Sequence, residues 1–240
     1  MRTTSGTALV CAAIASMIAA GGAARSADQP APQVALASQP GLAVAPEGWA
    51  YLAELAPYGP ADIFHVVRRA SGDGPLVQMR ADTRRNVGIL VRKVDAPLTA
   101  STRLDWRWNV ERLPSKVAET AAATHDYLSI AVKFDNGQDL TYMWSATLAP
   151  ETGFHCPLPT WKDRETHVVV RSGERDLGRW LREKRDVLAD YDKYVGGKPP
   201  GRIAEVWLIA NSIIQQSDGA ASFGDIAIDP GAGGQPVGVF

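Results

Sequence analysis

A strict two-residue alternation dominates this chain and narrows what it can fold into. Leu104, Trp106, Trp108 and Val110 alternate with Arg103, Asp105, Arg107 and Asn109. Successive side chains on a strand point to opposite faces, so this stretch reads as one long strand with an apolar and a charged face. Leu128, Ile130, Val132 and Phe134 alternate with Ser129, Ala131 and Lys133, and Asp135-Asn136-Gly137 follows. Asn-Gly turns match the twist of a hairpin, and Leu140, Tyr142 and Trp144 supply a return strand, so residues 127–145 are predicted to be a β-hairpin. Further strands are predicted over 63–69, 76–80, 87–93, 166–171, 203–210 and 222–228.

One helix interrupts the alternation. Val187, Leu188, Tyr191 and Val195 fall at helical spacing, Asp186 stands where an N-cap accepts free backbone N–H groups, and Gly196-Gly197 followed by Pro199-Pro200 ends the run. A second short helix is predicted over 115–123. Many strands without regular intervening helices argue against a βαβ protein. The expected fold is all-β: a two-sheet, jelly-roll-like β-sandwich with one or two short inserted helices. Two sheets packed face to face should bury the Trp106/Trp108 face and the Tyr142/Trp144 face.

The N-terminus has a different character. Arg2 precedes an apolar run from Ala8 to Ala20, and small residues follow. This is the three-part pattern of a secretory signal, and the run falls short of the about 20 residues that a membrane-crossing helix needs. The expected organisation is a signal peptide over 1–27, a Pro- and Gln-rich spacer over 28–46, the sandwich over 47–229 and a flexible Gly-rich tail over 230–240. The location expected is periplasmic or secreted, with no membrane span after cleavage. Cys11 leaves with the signal, so Cys156 has no partner for an internal disulfide and is expected to be buried. A net charge of −1 gives no basic surface for nucleic acid.

Residues that could carry chemistry are few. There are seven tryptophans, and exposed aromatic rings stack on the C–H faces of sugars while polar neighbours bind hydroxyls. Trp106, Trp108 and Trp144 sit in apolar faces and are expected in the core. Trp49, Trp161 and Trp180 lie outside clean alternation and are the candidates for an exposed platform. Arg107, Lys133, Arg171 and Arg185 are expected on polar faces, where guanidinium forks could hold an acidic sugar. Glycoside hydrolysis needs two carboxyl groups about 5 Å or about 6.5–9.5 Å apart, and Asp126 with Asp225 is the pair that different strands could assemble. His65, His125, His155 and His167 show no ligand spacing in sequence. His155 and Cys156 are adjacent, but neighbours on an extended segment point apart. No nucleophile elbow or phosphate loop is present. No cofactor, metal site or catalytic residue is therefore expected.

Several of these stretches, in this order, resemble a bacterial secreted family known as domain of unknown function 3047. They are Leu104-Asp-Trp-Arg-Trp108 ending in Arg112-Leu-Pro114, Asp126-Tyr127, Tyr142 to Trp144, Val168-Val-Val-Arg-Ser-Gly173, Leu177-Gly-x-Trp180, Arg185-Asp-Val, Asp190-Tyr191 and Phe223-Gly-Asp-Ile226. The resemblance implies an exported single-domain protein of unassigned activity. Where that family shows an Asp-rich segment after its strand near Ala210, this chain has Asn211-Ser-Ile-Ile-Gln-Gln-Ser217. The closing pattern is also similar to carbohydrate- and galactose-binding jelly rolls. The function expected is a non-catalytic module for a polysaccharide or oligosaccharide, with Arg107, Lys133, Trp161, Arg171, Trp180 and Arg185 as ligand-binding residues. The alternatives are a polysaccharide hydrolase or lyase on the same fold, and an envelope assembly protein whose partner is another protein.

Overall fold

The computed structural model describes residues 44–58, 62–231 and 234–240. The expected signal peptide and most of the expected spacer lie outside the described residues. In chain order the strands are β1 (Ala50–Tyr51), β2 (Phe64–Arg68), β3 (Val77–Arg84), β4 (Val87–Pro97), β5 (Arg103–Arg112), β6 (Tyr127–Phe134) and β7 (Asp139–Ser145). They continue with β8 (Gly153–His155), β9 (Glu165–Ser172), β10 (Leu181–Asp186), β11 (Arg202–Asn211), β12 (Asp218–Asp229) and β13 (Val237–Gly238). Helix α1 (Val187–Tyr194) stands between β10 and β11, and 3-10 turns cover Ala53–Tyr58 and Ala122–Thr124.

The strands form the expected two-sheet sandwich. One sheet has seven strands in the order β1-β4-β11-β6-β7-β9-β8, and the other has six, running β10-β5-β12-β3-β2 with β13 added on β12. All pairs are antiparallel except β7 with β9. The two-residue alternation decides which face goes inward. Trp106 and Trp108 of β5 meet Tyr142 and Trp144 of β7 across the interface, stacked at 5.6 Å and tilted at 5.5 Å between centroids. All four rings are buried. Aromatic pairs of this kind add about 0.5–1.5 kcal/mol each beyond the area they bury. The 6→7 hairpin turns at Asn136-Gly137, where Gly137 has a φ of 85° that an L side chain would resist.

Helix α1 adds Val187 and Tyr191 to the core. Asp186 caps it through the Ala189 N–H at 3.1 Å, and Gly196, with a φ of 76°, lets the chain turn back so that its N–H reaches Tyr191 O at 2.8 Å. Tyr191 packs edge-on to Phe134 with centroids 5.2 Å apart.

Three expectations need correction. The helix predicted over 115–123 is only the 3-10 turn Ala122–Thr124. Its backbone acceptors are taken from outside a helical ladder: His125 Nδ1 lies 2.6 Å from Glu119 O, and Thr124 Oγ1 donates to Ala118 O at 2.7 Å. The segment after Gly234 is not a loose tail. β13 pairs with β12, Val239 is buried, and Phe240 O accepts the Ile226 N–H at 2.7 Å. Trp49 and Trp161 are buried rather than exposed, at 5% and 7%.

Candidate functional site

The outward face of the seven-stranded sheet carries the chemistry. Register lines up Lys93 of β4, Glu205 of β11, Lys133 of β6, Asp139 of β7 and Glu165 of β9 as successive cross-strand neighbours. Lys93 is exposed, Glu205 and Lys133 are half-buried, and Asp139 and Glu165 are buried. A second row beside it runs Val91, Trp207, Ala131, Thr141, His167 and Phe154. Two roofs rest on this face. Leu52 and Leu55, around the first 3-10 turn, pack at one side, and Cys156, Leu158 and Trp161 of the loop after β8 pack at the other.

At the open end lies a groove of about 470 Å³ lined by residues 48–54 together with Val91, Arg92, Lys93, Lys133 and Glu205. The β1 segment brings Trp49 and Tyr51 to its wall. Arg92 lies over the Trp49 ring at 6.0 Å, and the Lys133 ammonium sits 5.1 Å from the centroid of Trp207. Glu205 accepts the indole N–H of Trp207 at 2.7 Å, which fixes the carboxylate beside Lys133. The groove therefore offers charged hydrogen-bonding groups beside aromatic and aliphatic surface.

At the roofed end the face is polar and buried. His125, Cys156, Glu165 and His167 are all buried, and one ligand-type atom from each lies within 4.8 Å of the others. His125 comes from the connection into β6, Cys156 from the loop just after β8, and Glu165 and His167 from alternate positions of β9. Glu165 accepts from Thr141 Oγ1 at 3.1 Å and Tyr127 OH at 3.3 Å, and its carboxylate lies 3.4 Å from His167 Nε2. Burial pushes the His125 imidazole down to about 3 and the Cys156 thiol up. Burial also pushes the Glu165 carboxyl up, but neighbouring His167 outweighs it and holds the group below the usual carboxylate range. Asp139 is driven well above that range by burial first and by the charge of Glu165 second. A small cavity of about 50 Å³, lined by Tyr127, Trp161, Glu165 and Asn211 among others, opens beside this cluster.

The six residues singled out from sequence do not meet in one place. Lys133 lines the groove. Trp161 lies in the roof, edge-on to Trp207 at 6.0 Å, with the Arg164 guanidinium 4.0 Å from its ring. Arg107 and Trp180 share a patch on the six-stranded sheet, 5.7 Å apart, where Arg107 also approaches Asp225 at 3.7 Å. Arg171 spends its fork on Glu183 at 2.7 and 3.1 Å, and Arg185 spends its own on Asp190 and Glu151. The carboxylates Asp126 and Asp225 stand apart in the fold, Asp126 in the connection just before β6 of one sheet and Asp225 in β12 of the other. Asp126 accepts the Ile214 and Gln215 N–H groups at 3.0 and 2.7 Å. His155 and Cys156 do point apart, His155 toward Thr166 at 3.3 Å and Cys156 toward His125 at 3.4 Å. The buried quartet was missed. Its one legible trace is Glu165-x-His167, two residues of one strand face.

A family model described as protein of unknown function (DUF3047) matches residues 69–227. No curated protein matches the chain. Among solved structures, the xyloglucanase domain of NopAA, a type three effector from Sinorhizobium fredii, is similar at 10% identity and a TM-score of 0.40, over 73% of this chain and 98% of that one. A family 30 carbohydrate-binding module of a cellulosomal cellulase of Clostridium thermocellum is similar at 14% identity and a TM-score of 0.37, over 70% of this chain and 82% of that one.

Proposed function

The chain belongs to the DUF3047 family, and from that premise we propose that it is an exported glycan-binding protein whose ligand lies in the groove beside β1. The observation that carries this reading is the groove itself. Its volume of about 470 Å³ falls within the roughly 300–1,000 Å³ of small-molecule sites. A sugar presents hydroxyls around its edge and C–H groups on its faces. The groove offers both kinds of partner: Lys93, Lys133, Arg92 and Glu205 for hydroxyls, and Tyr51, Leu52 and Val91 for C–H faces. The cations outnumber the acids in this lining, which suits an oligosaccharide bearing carboxylates. Export rests on the N-terminal pattern of Arg2 and the apolar run from Ala8 to Ala20.

The test is a glycan array, followed by titration of the hits with the purified protein and assay of the same glycans for shortened products. Lys133→Ala and Glu205→Gln should each weaken binding by about 1–3 kcal/mol, the cost of leaving a buried hydroxyl contact unpaired, while thermal unfolding changes little, because the glutamine keeps an acceptor for the Trp207 indole N–H. Glu54 also lines the groove, so release of reducing ends from a bound glycan would replace the binding role with a hydrolytic one. Binding that survives both substitutions would place the ligand elsewhere.

A further inference from the structure

The buried quartet at the other end of the same sheet face does not line the proposed groove, and its composition is unusual for a core. It holds two imidazoles, a thiol and a carboxyl in a region lined by Tyr127, Phe154 and Met143. Buried polar atoms almost always have hydrogen-bond partners. Here neither ring nitrogen of His167 makes a hydrogen bond, Nε2 only approaching the Glu165 carboxylate at 3.4 Å, although the side chain is 0% exposed, and both carboxylate oxygens of neighbouring Asp139 also have none.

The orientation of the donors is informative. His125 Nδ1 lies 2.6 Å from the backbone oxygen of Glu119. That bond places the proton on Nδ1 and leaves Nε2 bare, and Nε2 faces Cys156 Sγ at 3.4 Å. A backbone carbonyl holding one ring nitrogen so that the other is free is the arrangement that supports metal-ligating histidines. Glu165 is oriented in the same way by the hydroxyls of Thr141 and Tyr127.

We infer that His125 Nε2, Cys156 Sγ, Glu165 and His167 form a four-coordinate site for a divalent transition metal of the zinc class. Zinc takes nitrogen, sulfur and carboxylate ligands tetrahedrally, with bonds of about 2.0–2.3 Å, which sets ligand atoms about 3.3–3.8 Å apart. The four atoms already lie within 4.8 Å of one another, so binding needs only a small contraction. Charge also balances. A thiolate and a carboxylate offset the two positive charges of the ion, and the imidazoles are neutral, so the occupied site carries no net charge into the interior. Binding displaces the Cys156 thiol proton to solvent and moves no electrons. Magnesium and calcium are disfavoured, because they take oxygen ligands.

Four protein ligands close the coordination sphere, as in structural zinc sites. The ion would fasten the roof carrying Cys156 to the β9 strand and to the connection that enters β6. Cys156 has no disulfide partner among the described residues, so this site would supply the cross-link that the roof otherwise lacks.

The experiment is metal analysis of the purified full chain, followed by titration of the metal-free protein with zinc and with cobalt(II). The expected result is one zinc per chain and, with cobalt, a thiolate-to-metal absorption band. Cys156→Ser should abolish the band, and His167→Gln, which removes a ligand outright, should weaken zinc binding by at least the roughly 10–100-fold that losing an outer-shell partner costs. His155→Ala, adjacent to Cys156 but pointing to Thr166, should retain full binding. Removing the metal should lower the unfolding temperature of the wild type and leave that of Cys156→Ser unchanged. A wild-type chain that takes up neither metal, or variants that bind as the wild type does, would overturn the site. If a variant fails to fold, the cobalt titration of the wild type still decides. None of these readouts depends on the glycan.

Discussion

Glu183 shows how much one side chain can hold. It is buried at 8% exposure in β10, and it accepts both the indole N–H of Trp108 at 3.1 Å and the guanidinium fork of Arg171. Removing it leaves a core donor and a cation without an acceptor. Glu183→Ala should therefore cost about 2–4 kcal/mol in urea unfolding, and Glu183→Gln should recover part of that loss by keeping the Trp108 bond. At this scale the sequence was legible where periodicity speaks. Trp106, Trp108 and Trp144 are core because their strands alternate. Trp49 and Trp161 stand outside alternation, and their burial comes from Phe240 and Trp207, which are far away in sequence. His125 illustrates the harder case. Its partners lie on three separate segments, and no spacing rule links them.

Elements show the same division. The hairpin of β6 and β7 and helix α1 could be read because a local turn or cap fixes each one. β8 and β10 could not. β8 has three residues, and β10 is a charged run, Leu-Arg-Glu-Lys-Arg-Asp, whose position beside β5 is fixed by pairing rather than by its own pattern. One contact ties such elements together and responds to pH. Glu151, in the turn before β8, accepts from Arg185 of β10 at 2.6 Å, from Tyr194 OH at 2.7 Å and from Lys193 of α1 at 3.0 Å. The bond from Arg185, foremost among these, holds its carboxyl at about 2 against an ordinary 4.5. A depressed folded-state value stabilises the fold above the unfolded value, and that contribution is lost as pH falls from about 4.5 through about 2. Unfolding measured across this window should show a shallower acid slope in Glu151→Gln than in the wild type. An unchanged slope would mean that Glu151 is as solvated as its half-exposed position allows.

The molecule as a whole is built from distant pairings. β5 pairs with β10 and β12, β4 with β11, and β7 runs parallel to β9 through a connection that also supplies β8 and the roof. Loop closure must precede every one of these contacts. Refolding followed by stopped-flow fluorescence should therefore occur on the order of milliseconds to seconds rather than microseconds. The alternation made two facing sheets predictable, but strand order depends on which edges meet, and no local signal records that. This is also why the candidate site was largely illegible. Lys93, Glu205, Lys133, Asp139 and Glu165 become a row only once five strands are in register.

The aromatic ladder between the sheets also bears on how such a chain can diverge. Trp106 faces Tyr142 and Trp108 faces Trp144 at centroid distances of 5.6 and 5.5 Å, so a smaller ring at one position opens a void at its partner. Lasting changes there are expected to come in compensating pairs. Lys93 faces outward and is exposed, and Glu205 and Lys133 are tied only to Trp207, so this row can change with far less repacking. Descendants of a common ancestor would then keep the ladder as an heirloom and rewrite the outer row freely, sharing a scaffold while differing in what they hold.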